Sequence, residues 1–148
     1  AESARLIFDE LKSLYWRREE DAFGKQSRET FYCGDDGCVF TYVGLTLEPN
    51  AWPPSILRAR TLVAAATGLP ESLLTACLAN NYPAGEGHIP WHHDEVRAHG
   101  ERCVIATLSL GSTREFRLRK KAAHPSVVAA RASASAAAPV ATTGCGGD

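Results

Sequence analysis

The stretch that decides how this chain is read is Ile89-Pro90-Trp91-His92-His93-Asp94-Glu95. It contains a His-x-Asp pair, His92 and Asp94. If the segment is extended, residues two apart point to the same side. An imidazole and a carboxylate can then grip one metal ion together. A distant second His would complete a two-His-one-carboxylate facial triad, which leaves positions open for a bidentate cosubstrate and for dioxygen. His93 would face the opposite way and is given no ligand role. Spacing alone is a weak signal, because polar loops carry His-x-Asp by chance, so the flanking sequence has to decide.

On the amino-terminal side, Leu73 to Ala79 is an apolar run that predicts a strand. Asn80-Asn81-Tyr82 closes it, and Asn80 to Pro90 reads as a loop rich in Gly and Pro. His88 and His99 read as loop histidines. On the other side, Cys103 to Leu110 predicts a strand rich in Val, Ile and Thr, ended by Gly111. In Arg114 to Arg119, Phe116 and Leu118 alternate with Arg117 and Arg119, the pattern of a half-buried strand with a basic outer face. Arg114, Arg117, Arg119, Lys120 and Lys121 form a local cationic cluster. It suits phosphate contact or, more plainly, a solvated strand face.

Further out, Ser3 can cap a helix running to about Trp16, with Leu6, Ile7, Leu11, Leu14 and Tyr15 at helical spacing. Ala22 to Gly37 reads as loop or short strands, and Cys38 to Tyr42 as a strand. Pro53 and Pro54 introduce a second helix with Ile56, Leu57, Leu62 and Val63 on its apolar face, and Gly68 can close it. After Lys121 the composition turns to Ala, Ser, Val, Pro, Thr and Gly. Residues 122–148 are therefore expected to be a low-complexity insert or linker without catalytic residues, and 1–121 the domain. Helices first and strands afterwards predict an α+β fold.

The bulk numbers exclude some classes. A chain of 148 residues can bury a real core, and a net charge of -1 carries no global nucleic-acid signature. No apolar run approaches the roughly 20 residues of a membrane helix, and the charged, helix-patterned start is no secretory signal. The absence of Met suggests a piece of a longer chain. Five scattered cysteines without CxxC spacing make a zinc site at Cys33 and Cys38 unsupported. Cys77 and Cys103 read as buried thiols, and a reducing compartment, nuclear or cytoplasmic, is expected.

The order of strand, N-x-Y, Gly-containing loop, His-x-Asp, Ser109-Leu110-Gly111 strand and Arg114-Glu115-Phe116 strand resembles the AlkB family of Fe(II)/2-oxoglutarate-dependent dioxygenases. It is most similar to the branch that repairs alkylated duplex DNA. Tyr42-Val43-Gly44-Leu45-Thr46-Leu47-Glu48-Pro49 and Ala22-Phe23-Gly24-Lys25 extend the resemblance, which covers Leu6 to Lys121.

The resemblance implies a double-stranded β-helix, or jelly roll, with amino-terminal helices packed on it. It implies Fe(II) held by His92, Asp94 and a later His, and 2-oxoglutarate supported by Asn80 and Tyr82 and by late arginines. It implies flipped-base contact at Phe40 and Tyr42, an intercalating finger at Phe23, and substrate contact at Glu95 and Arg114. The implied reaction consumes 2-oxoglutarate and dioxygen. It oxidises an N-methyl carbon of alkylated DNA or RNA and yields formaldehyde, succinate and carbon dioxide. A monomer without membrane contact is expected.

Three features depart from the family pattern. The second iron His and the late arginine strand do not follow, so the C-terminal strands of the jelly roll are expected to be missing and this stretch alone inactive. Val96 stands where the family often has a base-contacting acid. The loop after Phe23 is shorter than in the duplex-DNA branch. The rival reading is an inactive AlkB-like module that binds nucleic acid or protein without turnover.

Overall fold

The computed structural model describes residues 2–94 and 104–120. The expectations for Glu95, Val96, His99, Cys103, Lys121 and residues 122–148 lie outside the described residues. The chain divides into two compact units, one reaching Gly111 and the other starting at Ser112.

In the first unit, helix α1 spans Glu2–Leu11. The helix pattern predicted a run to Trp16 with Ser3 as its cap. Instead Ser3 lies inside the helix, and the helix ends five residues early because its last carbonyls find other donors. The Leu14 N–H and the Trp16 indole Nε1–H both donate to the Leu11 carbonyl, at 3.1 and 3.0 Å. A helix end leaves such carbonyls without intrahelical partners, and these two donors satisfy one of them. Ile7 is the buried anchor of α1, with only 1% exposure.

Strands β1 (Glu20–Asp21) and β2 (Gly24–Lys25) form a hairpin with Ala22 and Phe23 at its tip. Strand β3 (Glu29–Gly34) follows, then β4 (Phe40–Tyr42) and β5 (Leu45–Leu47), which pair as a second hairpin. Helix α2 spans Pro54–Thr67, begins after Pro53 and is closed by Gly68, which has a φ of 72°. Its N–H donates to the Ala64 carbonyl, the left-handed closure that the Gly predicts. A 3-10 turn, Glu71–Leu73, leads into β6 (Ala76–Asn81).

Ala22 to Gly37 is therefore more than loop, because it contains β3, which has neighbours on both sides. Antiparallel β6 lies along one edge, with Cys33 opposite Cys77 and Thr30 opposite Asn80. On the other edge, Arg17 exchanges both backbone bonds with Thr30, and Asn50 bridges Tyr32 and Gly34. Thr30, Tyr32 and Cys33 are buried as a result. The run Thr30-Phe31-Tyr32-Cys33 is strand-forming in type, but the turn residues around it hid that. The apolar run from Leu73 is likewise shifted: its strand begins at Ala76 and takes in Asn80 and Asn81.

Helices α1 and α2 pack together and are linked at the surface by the Arg58–Glu10 ion pair. Ile56 and Ala64 are the buried apolar residues of α2, whereas Leu57 and Leu62, expected on its inner face, stay exposed. An apolar cavity of about 400 Å³ lies between Leu62, Val63 and Ala66 of α2 and residues 106–108. Gly111 closes against α1, where an added Cβ would stand 2.8 Å from the Phe8 ring.

Residues 104–110 are not a strand, because a strand requires a ladder of backbone hydrogen bonds and none is formed there among the described residues. In the second unit, residues 114–119 are not a strand either. Phe116 and Leu118 are 78% and 85% exposed, so that alternation marks no buried face. The architecture is mixed helix and strand. Among the described residues the sheets are three separate two-stranded antiparallel pairs, and no closed jelly roll is formed by them. Among the described residues, no helix is long and apolar enough to cross a membrane.

Candidate metal centre and its surroundings

His92 and Asp94 do face each other. His92 Nε2 lies 3.7 Å from Asp94 Oδ1, with both side chains about half exposed. That is too long for a hydrogen bond. Two donors each about 2.1 Å from one ion stand about 3.0 to 3.6 Å apart as the angle between them opens from 90° to about 120°. The pair is therefore spaced for one shared ion, given a small closing movement.

The tautomer also suits a metal. His92 Nδ1 is 2.8 Å from the Pro90 carbonyl. A carbonyl only accepts, so Nδ1 carries a proton, and in the neutral ring that leaves the lone pair on Nε2, the nitrogen nearer Asp94. A backbone partner of this kind orients a metal-binding imidazole. No group of three or more His, Cys, Asp and Glu side chains suited to a metal occurs among the described residues. His92 and Asp94 thus fit an Fe(II) site as a pair of donors.

The loop that carries the pair is tied down by residues that motif reading passed over. The Ser27 hydroxyl donates to the His88 carbonyl at 3.0 Å, and the His88 N–H donates back to Ser27 Oγ at 3.3 Å. His88 therefore has a structural role in the loop. Gly87 lets the loop fold back on itself: an added Cβ would stand 2.6 Å from the Tyr82 Cα, and the Gly87 N–H donates to the Pro83 carbonyl. Only Gly tolerates so close an approach of backbone to backbone.

Asn80, half-buried on β6, is held from the next segment. Arg28, only 7% exposed, donates from Nε to Asn80 Oδ1 at 2.8 Å. The amide is thereby oriented with its oxygen toward Arg28. Tyr82, just past the strand, is 37% exposed. The signal for Arg28 was a basic residue just before β3; its link to Asn80, 52 positions away in sequence, had no local signature.

The expected base-contact residues occupy the two hairpins, which touch. Phe23 stands at the tip of β1–β2 and is 91% exposed. Its N–H donates to Asp21 Oδ1 at 2.8 Å. Phe40 and Tyr42, two apart on β4, stack with ring centroids 5.0 Å apart. Buried Gln26 joins the hairpins by donating from Nε2 to Asp21 Oδ2 and to the Tyr42 hydroxyl, at 2.9 and 3.0 Å. The Ala22 N–H adds a bond to the Val43 carbonyl. Phe23 therefore projects from the same joined pair of hairpins that carries Phe40 and Tyr42. In the second unit Arg114 is exposed, and Arg117 is engaged by Glu115 at 2.7 Å.

Comparison with known proteins bears on this arrangement. Residues 3–135 match the model of the 2OG-Fe(II) oxygenase superfamily. The bovine DNA oxidative demethylase ALKBH2 is 38% identical over 96 residues, 63% of this chain and 34% of that protein. Its human counterpart is 38% identical over 88 residues, 60% of this chain and 33% of the relative. The bovine alpha-ketoglutarate-dependent dioxygenase alkB homolog 3 is 31% identical over 121 residues, 78% of this chain and 41% of that protein. The chain thus spans between about a third and two fifths of the length of these relatives.

Proposed function

We propose, for a chain that belongs to the 2OG-Fe(II) oxygenase superfamily, that it is the part of an oxidative nucleic-acid dealkylase that bears the His-x-Asp motif. The enzyme would remove N-alkyl groups from bases of DNA, or of RNA. The observation that carries this reading is the facing pair of His92 and Asp94, with the His92 tautomer set by the Pro90 carbonyl. The similarity to proteins named DNA oxidative demethylase supports the substrate class.

The residues then take definite roles. His92 and Asp94 would hold the iron. Fe(II) with 2-oxoglutarate and dioxygen, when bound, supplies the oxidation that turns an N-methyl group into a hydroxymethyl group, lost as formaldehyde. Asn80 and Tyr82, neutral donors, would orient 2-oxoglutarate without competing for the iron, and Arg28 would keep the Asn80 amide in place. A base in a duplex must leave the stack to reach such a centre. Phe40 and Tyr42 offer aromatic faces to it, and Phe23 an apolar wedge to fill the gap it leaves. Arg114, and Glu95 beside the iron pair, would contact substrate. The enzyme would act as a monomer in the nucleus or cytoplasm.

The test is to assay a full-length chain carrying this segment on N-methylated DNA and RNA oligonucleotides. Succinate and repaired base are measured together, with and without an iron chelator. Chelator-sensitive release of formaldehyde, abolished by His92→Ala or Asp94→Ala, is the expected result. A chain that binds iron and 2-oxoglutarate yet repairs neither DNA nor RNA would overturn the reading.

A further inference from the structure

Outside the candidate centre, Cys33 and Cys77 bring two free thiols together in the middle of the β3–β6 pair. Their relation follows from the backbone. The Asn50 N–H donates to the Tyr32 carbonyl, and the Gly34 N–H to the Asn50 carbonyl. Tyr32 and Gly34 thus spend their backbone groups on the Asn50 side, so those of Cys33 point at β6. Cys33 and Cys77 are therefore a hydrogen-bonded antiparallel pair, for which Cα atoms stand about 5.5 Å apart and side chains share one face. Disulfides need Cα separations of about 4.4–6.8 Å, a range that contains the separation of such a pair. Cys38 is disulfide-bonded, whereas Cys33 and Cys77 are both free thiols.

The two thiols are not equivalent. Cys33 is fully buried, at 0% exposure, whereas Cys77 is half-buried. The two sulfurs interact by hydrogen bonding. That bond, with burial behind it, pushes the Cys33 thiol up. The same bond holds Cys77 below the ordinary thiol range, against the opposing effect of burial. A thiolate, not a thiol, is the nucleophile toward oxidants. Exposure and charge therefore both select Cys77 as the attacking sulfur, and register selects Cys33 as the resolving one.

We propose that Cys33 and Cys77 form a reversible thiol-oxidation site whose oxidant is a peroxide and whose product is a disulfide across β3 and β6. The Cys77 thiolate attacks one peroxide oxygen and the O–O bond breaks. Cys77 becomes a sulfenic acid, and the departing hydroxide takes up the proton lost from Cys77 as a first water. The Cys33 sulfur then attacks the Cys77 sulfur and the S–S bond forms. The hydroxide expelled takes the Cys33 proton as a second water. Two thiols give up two electrons and two protons, and the peroxide is reduced to two waters.

Asn80, an odd number of residues along β6, lies on the other face of the strand. The bond therefore tightens the sheet without covering Asn80. It closes a loop over residues 34–76, which include β4, β5 and α2, and so restricts the unfolded chain.

The reduced full chain is treated with hydrogen peroxide, and the products are followed by intact mass, by peptide mapping and by thermal melting. Expected are a peptide joining Cys33 to Cys77, a loss of two hydrogens for that bond beyond those of the Cys38 disulfide, a Tm raised by on the order of 5 °C, and reversal by dithiothreitol. Cys33→Ser should trap Cys77 as a sulfenic acid that dimedone labels, and Cys77→Ser should leave Cys33 unoxidised. The wild-type peptide map decides the matter even if either variant fails to fold. Peroxide that takes Cys77 to the sulfinic acid without a crosslink, links it to another cysteine, or leaves both thiols intact would overturn the proposal.

Discussion

At the scale of single residues, the site depends on partners that hold its side chains in one orientation. His92 is legible from its spacing to Asp94, but its tautomer is set by a backbone carbonyl two residues away. Asn80 is legible from N-x-Y, but its amide is oriented by Arg28. A hydrogen bond from a charged donor contributes about 1.5–3 kcal/mol. Under the proposed function, Arg28→Ala should therefore raise KM for 2-oxoglutarate about tenfold, or about 1.4 kcal/mol, in a full-length chain. Arg28→Lys should recover part of the loss, and kcat should change less than KM. Steady-state kinetics in 2-oxoglutarate measure the split. Equal KM values for wild type and Arg28→Ala would show that the amide needs no holding. Cys77 gives a pH-dependent readout of the same kind. Its thiol is held low by hydrogen bonding with Cys33, so alkylation of Cys77 in the reduced chain should reach half its maximal rate at a lower pH than it does when Cys33 is absent. Cys33→Ala removes that partner and should move the midpoint upward.

At the scale of elements, the two hairpins are the most distinctive part of the molecule. The β4–β5 turn places Val43 at φ 47° and Gly44 at φ 78°. Two positive central angles in a two-residue hairpin loop make a type I′ turn, which favours Asn-Gly. A β-branched residue in the left-handed region is costly, by about 1–2 kcal/mol. Val43→Asn should therefore stabilise the chain by about 1 kcal/mol, raising Tm by roughly 2–4 °C; a melt that falls instead would show that Val43 contributes packing. The other hairpin tests function. Phe23, 91% exposed at its tip, buries little, so Phe23→Ala should leave thermal stability within about 0.5 kcal/mol. As the proposed wedge, it should matter in a duplex, where a gap needs filling, and little on single strands. A several-fold loss of repair on duplex DNA with single-strand repair retained is expected. Equal losses on both substrates would argue against the wedge. These elements were legible unevenly. Pro53, Pro54 and Gly68 placed α2 because they act locally on backbone angles, whereas β3 was obscured because its neighbours, β6, Arg17 and Asn50, come from distant parts of the chain.

At the scale of the whole molecule, the described residues bring together the two proposed iron donors and no group of three. Two donors give little geometric constraint on a metal that exchanges readily. The 148-residue chain should thus hold Fe(II) weakly and release no formaldehyde from N-methylated DNA in the presence of 2-oxoglutarate, measured with succinate in the same reaction. A longer chain supplying a further His and arginines should do both. Turnover by the 148 residues alone would mean that other side chains complete the site. The sequence by itself determined the family, the spacing that sets His92 beside Asp94 and the second helix. Each depends on residue type at short spacing, and a two-residue or four-residue spacing constrains which face a side chain takes. Tertiary structure decided the rest. It ended α1 at Leu11 through the Trp16 indole, paired Arg28 with Asn80 and Ser27 with His88, joined the two hairpins through Gln26, and set Cys33 opposite Cys77. It also left 104–110 and 114–119 without a ladder, although their composition favours strands. A strand exists only where another strand supplies its hydrogen bonds, and that partner is chosen by the fold rather than by the segment.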